Sequence, residues 1–219
     1  MIVQIYSLTT PEDVKGCIDA GVDHLGVAAA DQNLPASISN ERARELFRLV
    51  PDDHKTVALT VSTDLEEIVN YANATNPDIL HICSDTRAVN ASDMKELQDR
   101  IPDKELMKAI DVNGPESKHE AVKFDPVSDW LILDTSTDTI DGIGASGETH
   151  DWSISKDIAN ETETPTILAG GLAPENVSSA IETVRPDGVD SFTRTSKTVR
   201  RKDIDRVREF VRNAKMISR

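Results

Sequence analysis

Apolar residues in this chain follow two rhythms that take turns. Some runs, such as Leu131-Ile132-Leu133, are short and apolar without a break, while longer segments repeat an apolar residue every three or four positions. Unbroken runs read as strands buried on both faces, and the slower rhythm reads as helices with one covered side. The predicted strands are Ile2–Tyr6, His24–Ala29, Thr56–Val61, Ile79–Cys83, Leu106–Val112, Trp130–Asp134, Thr166–Ala169 and Gly188–Ser191. The predicted helices are Pro11–Ala20, Asn40–Leu49, Asp64–Ala72, Ala91–Arg100, a short one near Glu116–Val122, Trp152–Ala159, Pro174–Thr183 and Lys202–Ala214. Thr10-Pro11-Glu12-Asp13 and Ser39-Asn40-Glu41 set a capping residue and acids at helix starts, where free N–H groups and the helix dipole favour them. In the last helix Ile204, Val207, Phe210, Val211 and Ala214 form a single apolar stripe.

Strict alternation of strand and helix implies parallel pairing. Eight such units in 219 residues fit a lean (β/α)8 TIM barrel, with the whole chain as one domain. A doubly wound open sheet would place its glycine fingerprint after the first strand. Here the glycines follow strands six and seven instead.

Hydrophobic residues make up 38% and charged residues 29%, an ordinary globular composition. The net charge of −15 repels nucleic acid and anionic membranes, so neither is an expected partner. An anionic small molecule would need a local site rich in N–H groups or cations. Two distant cysteines, Cys17 and Cys83, make no disulfide framework, and a reducing cytoplasm is the expected location. The opening Met-Ile-Val-Gln-Ile-Tyr-Ser lacks a signal peptide's pattern, and no apolar run approaches a membrane span. A monomer or homodimer is expected.

Active sites of this barrel lie where the strands end. Residues 165 to 177 read Pro-Thr-Ile-Leu-Ala-Gly-Gly-Leu-Ala-Pro-Glu-Asn-Val: a strand, two glycines that let a ligand approach the backbone, and a helix start with Pro174 in its first turn. N–H groups at such a start favour phosphate. Gly144-Ala145-Ser146-Gly147 follows strand six, and Thr193-Arg194-Thr195-Ser196 follows strand eight. The candidate phosphate-binding residues are therefore Gly144, Ala145, Ser146, Gly147, Gly170, Gly171, Thr193 and Arg194, with Arg194 able to add a charged contact.

Asp134 ends an apolar strand, where partial burial raises a carboxyl toward neutrality and suits it to acid or base work. Asp111 ends strand five and is either a second acid–base group or the cap of the turn at Asn113-Gly114. Cys83 is a nucleophile or base if its surroundings are electropositive, and otherwise a buried inert thiol. Tyr6 is a ligand contact or a space filler, since a phenol near pKa 10 is a poor base. His81 is assigned to the strand face opposite Cys83. His24, His54, His119 and His150 show no metal-ligand spacing with each other or with the cysteines. Neither a metal nor a cofactor is expected.

With these motifs in place the chain resembles the phosphoribosylanthranilate isomerases, (β/α)8 enzymes of tryptophan biosynthesis. The resemblance spans nearly the whole chain. It is carried by Leu131-Ile132-Leu133-Asp134-Thr135, Gly144-Ala145-Ser146-Gly147 with Asp151-Trp152, Ala169-Gly170-Gly171-Leu172, Pro174-Glu175-Asn176-Val177, Ala180-Ile181, Arg185-Pro186 and Val189-Asp190. It implies opening of a ribose ring and conversion of an aminoaldose to an aminoketose, with an aspartate acid at Asp134. The family's cysteine base is absent: its Lys-Ile-Cys-Gly-Ile-Thr reads Gln4-Ile5-Tyr6-Ser7-Leu8-Thr9. The arginine that holds the anthranilate carboxylate matches Ala36. The family's Gln-Leu-His-Gly reads His81-Ile82-Cys83-Ser84, and its Ser-Ser-Gly-Val-Glu reads Phe192-Thr193-Arg194-Thr195-Ser196.

The leading expectation is a divergent family member acting on a changed phosphorylated sugar or phosphate ester, with Asp111 or Cys83 as replacement base. The alternatives are the original isomerisation with relocated groups and a non-catalytic binder of a small phosphorylated metabolite.

Overall fold

The computed structural model describes residues 1–29, 34–135 and 151–217. Strands β1 (Ile2–Ile5), β2 (His24–Ala28), β3 (Lys55–Thr60), β4 (Ile79–Ile82), β5 (Glu105–Asp111), β6 (Trp130–Asp134), β7 (Thr166–Leu168) and β8 (Gly188–Ser191) form one closed, parallel barrel in sequence order. β1 closes on β8 with Val3 opposite Val189. Helices α1 (Pro11–Ala20), α2 (Asn40–Phe47), α3 (Leu65–Thr75), α4 (Ala91–Arg100), α5 (Ser117–Phe124), α6 (Trp152–Glu161), α7 (Val177–Val184) and α8 (Ile204–Ile217) alternate with the strands. The expected TIM barrel is therefore the observed fold.

Two apolar layers hold it. Val3, Ile5, Leu25, Val27, Leu80, Ile82, Leu106, Ile110, Leu131, Leu133 and Val189 face outward onto helix residues such as Val14, Leu46, Ile68, Leu97, Phe124 and Phe210. Val57, Ile79, Met107, Ala109, Ile132, Ile167 and Ala169 fill the inside. Successive strand residues point to opposite faces, so unbroken apolar runs feed both layers at once. Thr10, Ser39, Asp64 and Asn90 cap the first turns of α1, α2, α3 and α4 through their side chains.

A repeated clamp organises the end of the barrel away from the mouth. Asp23, Asp78, Asp129 and Asp187 each stand just before an even-numbered strand. Their carboxylates accept the N–H groups of Val3, Thr56, Leu106 and Thr166, at 2.8, 2.8, 2.7 and 2.8 Å. Their own N–H groups donate back to the carbonyls of the same four residues, at 2.8, 3.2, 2.8 and 2.9 Å. Each odd strand is thus fastened at its start to the even strand that follows it.

Most element ends shift by one to three residues, and two helix starts shift by two or more. α7 begins at Val177, because Pro174-Glu175-Asn176 forms a separate turn: the Asn176 side chain accepts from Ala173 N at 2.8 Å and donates to the Gly171 carbonyl at 3.2 Å. α8 begins at Ile204, because Ser196–Thr198 (β9) and Arg201–Lys202 (β10) pair as an antiparallel hairpin ahead of it. That hairpin leans on the loops after β1 and β2: Thr9 donates to the Arg200 carbonyl at 2.7 Å, and Arg200 donates to the Ser37 carbonyl at 3.3 Å.

Removing one clamp leaves a partly buried strand N–H unpaired. Asp129→Ala is expected to lower unfolding stability by about 1–3 kcal/mol, and Asp129→Asn, which keeps an acceptor, by less. Urea unfolding followed by circular dichroism measures both.

Candidate active site

The mouth pocket is lined by Asp134 from β6, Gly170, Gly171 and Leu172 after β7, and Asp190, Ser191, Phe192, Thr193 and Arg194 from β8 and its loop. Asp134, Gly170, Gly171, Thr193 and Arg194, predicted from separate motifs, therefore meet in one place. Gly144, Ala145, Ser146 and Gly147 lie outside the described residues. Gly170 and Gly171 have φ of 82° and 62°, left-handed values that cost a glycine little. The turn they make is braced by Asn176 below and by Ser191, whose hydroxyl donates to the Leu172 carbonyl at 2.8 Å.

The pocket holds a residue that the sequence reading passed over. Asp190 sits within the apolar strand Gly188–Ser191, 7% exposed, and its Oδ1 is buried with no hydrogen-bond partner. Burial, and then the charge of Asp134, push the Asp190 carboxyl up to about 8; a hydrogen bond from Gln4 and the charge of Lys202 work against this. Burial pushes the Asp134 carboxyl up to about 7, against a hydrogen bond from the Thr135 N–H at 2.7 Å. The charge of Asp111 adds to the rise at Asp134, and both raised carboxyls line the same pocket. The signal for Asp190 was present in Val189-Asp190-Ser191, an acid inside an apolar strand, by the same logic that singled out Asp134.

The other candidates have different work. Asp111 accepts from the Asn113 side-chain amide at 2.7 Å, and its carbonyl accepts from the Ser117 hydroxyl at 2.7 Å. It builds the turn after β5, the second of its two expected roles. Cys83 is 3% exposed and belongs to the interior apolar layer, where desolvation disfavours a thiolate; it does not line the pocket.

Tyr6 points into the barrel. Its hydroxyl lies 2.6 Å from His81 Nδ1, and both side chains are buried. Burial, first, and the charge of Lys108 lower the His81 pKa to about 3, so the ring is neutral. Burial, ahead of the charge of Asp190, pushes the Tyr6 phenol well above 10. The phenol keeps its proton and shares one hydrogen bond with Nδ1, an arrangement that disfavours Tyr6 as a base. The assignment of His81 to the face opposite Cys83 is corrected here: residues two apart on a strand share a face, and both point inward. The tyrosine ring has room only because residue 26 is glycine. A Cβ on Gly26 would stand 2.3 and 2.5 Å from two Tyr6 ring carbons.

Among the described residues no cluster of His, Cys, Asp or Glu is placed to hold a metal ion. No helix among them is long and apolar enough to cross a membrane.

Residues 3–213 match the family model for N-(5'-phosphoribosyl)anthranilate (PRA) isomerase. The chain belongs to the phosphoribosylanthranilate isomerase family. It is 33% identical to N-(5'-phosphoribosyl)anthranilate isomerase of Haloferax volcanii, over 97% of this chain and 92% of that protein. Among solved structures it is similar to a phosphoribosyl anthranilate isomerase in complex with reduced 1-(o-carboxyphenylamino)-1-deoxyribulose 5-phosphate. That match has a TM-score of 0.83 at 25% identity and covers 99% of this chain and all of the other. It is also similar to monomers generated from the dimeric phosphoribosylanthranilate isomerase of Thermotoga maritima, at TM-score 0.82 and 25% identity, over 99% of this chain and 100% of that one. Within the phosphoribosylanthranilate isomerase family frame, then, this chain fills the barrel centre with a tyrosine and keeps two carboxyls at the mouth.

Two outcomes check the role of Tyr6. Gly26→Ala is expected to cost about 1–3 kcal/mol of stability by overpacking, and most of that loss should disappear in the Gly26→Ala/Tyr6→Cys double variant, a coupling that chemical denaturation reads directly. Tyr6→Phe is expected to lose about 1–3 kcal/mol by orphaning His81 while leaving the pH–rate profile of any turnover unchanged in shape.

Proposed function

We propose that this chain is a phosphoribosylanthranilate isomerase in activity as well as family, with the base moved from β1 to β8. The observation that carries this reading is the pair Asp134 and Asp190, two carboxyls of raised pKa facing one pocket beside the Gly170-Gly171 turn. Family membership across residues 3–213 favours the original reaction over the changed substrate expected first from sequence.

The reaction needs one acid and one base and no external electrons. Asp190 binds a proton more tightly than Asp134, so the reactive form is the one in which the proton has moved to Asp134. Asp134 then donates it to the ribose ring oxygen as the C1–O bond breaks, and the amine nitrogen's lone pair forms the C1=N bond. Asp190 as the carboxylate then takes the proton from C2. The C2–H electrons become a C1=C2 bond and the C1=N electrons return to nitrogen. The resulting enol becomes the ketone as Asp190 returns its proton to C1 and the C2 hydroxyl gives up its proton to Asp134, which restores both groups. Positioned acid–base groups of this kind contribute about 10²–10⁴-fold each. The 5'-phosphate is held by the backbone at Gly170-Gly171 and by Thr193 and Arg194, with the Gly144–Gly147 motif as further contacts. The chemistry asks for no metal or cofactor. The protein acts in the cytoplasm as a monomer or homodimer.

A second reading, the same fold and phosphate grip serving a different phosphate ester, rests on Tyr6 and Ala36, where the family's base and carboxylate contact are missing. Growth of a tryptophan auxotroph that lacks its own isomerase separates the two. Complementation by this chain is expected; absence of both growth and purified turnover would sink the first reading.

The carboxyl pair also sets a pH dependence. Catalysis requires one group protonated and the other ionised, so kcat/KM should form a bell that falls below about pH 7 and above about pH 8. Asp134→Asn and Asp190→Asn are each expected to lower kcat by about 10²–10⁴-fold and to abolish one limb. The stability effect has a definite sign. Both carboxyls bind protons more tightly folded than unfolded, so their favourable contribution is complete below about pH 4 and is lost as pH rises through 7 to 8. Asp190→Asn should accordingly raise the melting temperature at pH 8.5 more than at pH 5, as thermal unfolding at the two pH values will show.

A further inference from the structure

Lys202 is among the most buried cations of the chain, 3% exposed, and it sits in the β9–β10 hairpin directly behind the pocket loop. Its ammonium donates to the Ser196 hydroxyl at 2.9 Å and to the Phe192 carbonyl at 3.4 Å, and it lies 4.7 Å from the centre of the Phe192 ring. The same carbonyl accepts from Thr195 at 3.2 Å and from Ser196 at 2.7 Å. Three side chains thus converge on one carbonyl and pin the start of the segment Phe192-Thr193-Arg194, whose other side lines the pocket.

Among the described residues no ion pair within 4 Å holds Lys202: Asp13 on α1 is engaged by Arg201 at 3.2 Å, and Asp13 and Asp190 act on the ammonium only from further away. Hydroxyl, carbonyl and ring partners only partly offset the cost of burying an ammonium. The ammonium reaches the pocket-lining segment through the Phe192 carbonyl and ring.

We propose that Lys202 is a positioning residue for the phosphate: it fixes the Phe192–Arg194 loop from behind and balances the bound dianion's charge through it. The proposal rests on the phosphate reading of the pocket given above. It also explains how a chain of net charge −15, with two carboxyls in the same pocket, can favour a phosphate there. Burial lowers the ammonium's pKa to about 8, while Cys17 and Asp13 on α1 and Asp190 on β8 oppose the shift. Arg201 adds a like charge to the same neighbourhood through its pairing with Asp13.

Binding of ribose 5-phosphate, a dianion throughout the range used, tests this by calorimetry between pH 7.5 and 9.5. Wild-type affinity is expected to fall about tenfold or more as Lys202 loses its proton. Asp190 also loses its proton in this window, so affinity falls in both proteins; Lys202→Arg, which stays charged, should fall about tenfold less than wild type, while Lys202→Gln should bind about tenfold or more weakly at pH 7.5. Equal pH dependence in wild type and Lys202→Arg, or wild-type affinity in a folded Lys202→Gln protein, would overturn the proposal. If neither variant folds, a wild-type affinity that is flat from pH 7.5 to 9.5 overturns it alone. No binding by the wild type at pH 7.5 would instead overturn the phosphate pocket itself.

Discussion

Closure of eight short strands into one ring depends on holding their starts in register, and four aspartates do that. Strands of three to seven residues bring few ladder hydrogen bonds each. At the end where chains enter the barrel, an N–H at the first or second residue of each odd strand faces a gap. The carboxylates of Asp23, Asp78, Asp129 and Asp187 fill it, and their backbones return a bond to the same residue. The result is four fastened strand pairs. Because parallel strands leave a common end in a common direction, fixing register at one end also fixes the heights at which Asp134, Gly170 and Asp190 emerge at the other.

The interior then sets what the mouth can do. Tyr6 is large, and Gly26 yields the space for its ring. His81 satisfies its hydroxyl, and burial keeps both groups neutral. These three residues form a polar plug beneath the pocket that neither gains nor loses a proton near neutral pH. Asp134 and Asp190, the carboxyls that burial raises, line that pocket instead. The cationic side is supplied from outside the barrel, by Arg194 at the rim and Lys202 behind the loop, so opposite charges approach the same pocket from different layers of the structure.

Much of this was legible along the chain. Unbroken apolar runs alternating with 3.6-residue periodicity report burial on two faces or on one, and burial pattern is what distinguishes strand from helix in this fold. Asp134 and the Gly170-Gly171 turn were legible for a similar reason: an acid ending an apolar strand and a glycine pair before a helix each carry their meaning locally. The β9–β10 hairpin was not, because its strands are short and polar and are held by Thr9 and Ser37, residues far away in sequence. The start of α7 was misplaced because the Asn176 side chain bonds back to Gly171 and Ala173 and closes a separate turn.

The amino-acid order alone was enough for the barrel, the family and the Gly170-Gly171 turn at a strand end, since each depends on contacts between near neighbours or on one-dimensional pattern. Which carboxyls meet at one pocket, which tyrosine pairs with a histidine and which lysine reaches the Phe192 carbonyl depend on distances between residues from opposite sides of the ring. Acidity is set by the whole environment of a group, and Asp190, Tyr6 and Lys202 acquire theirs only when β1, β4, β6, β8 and α1 are brought together around them.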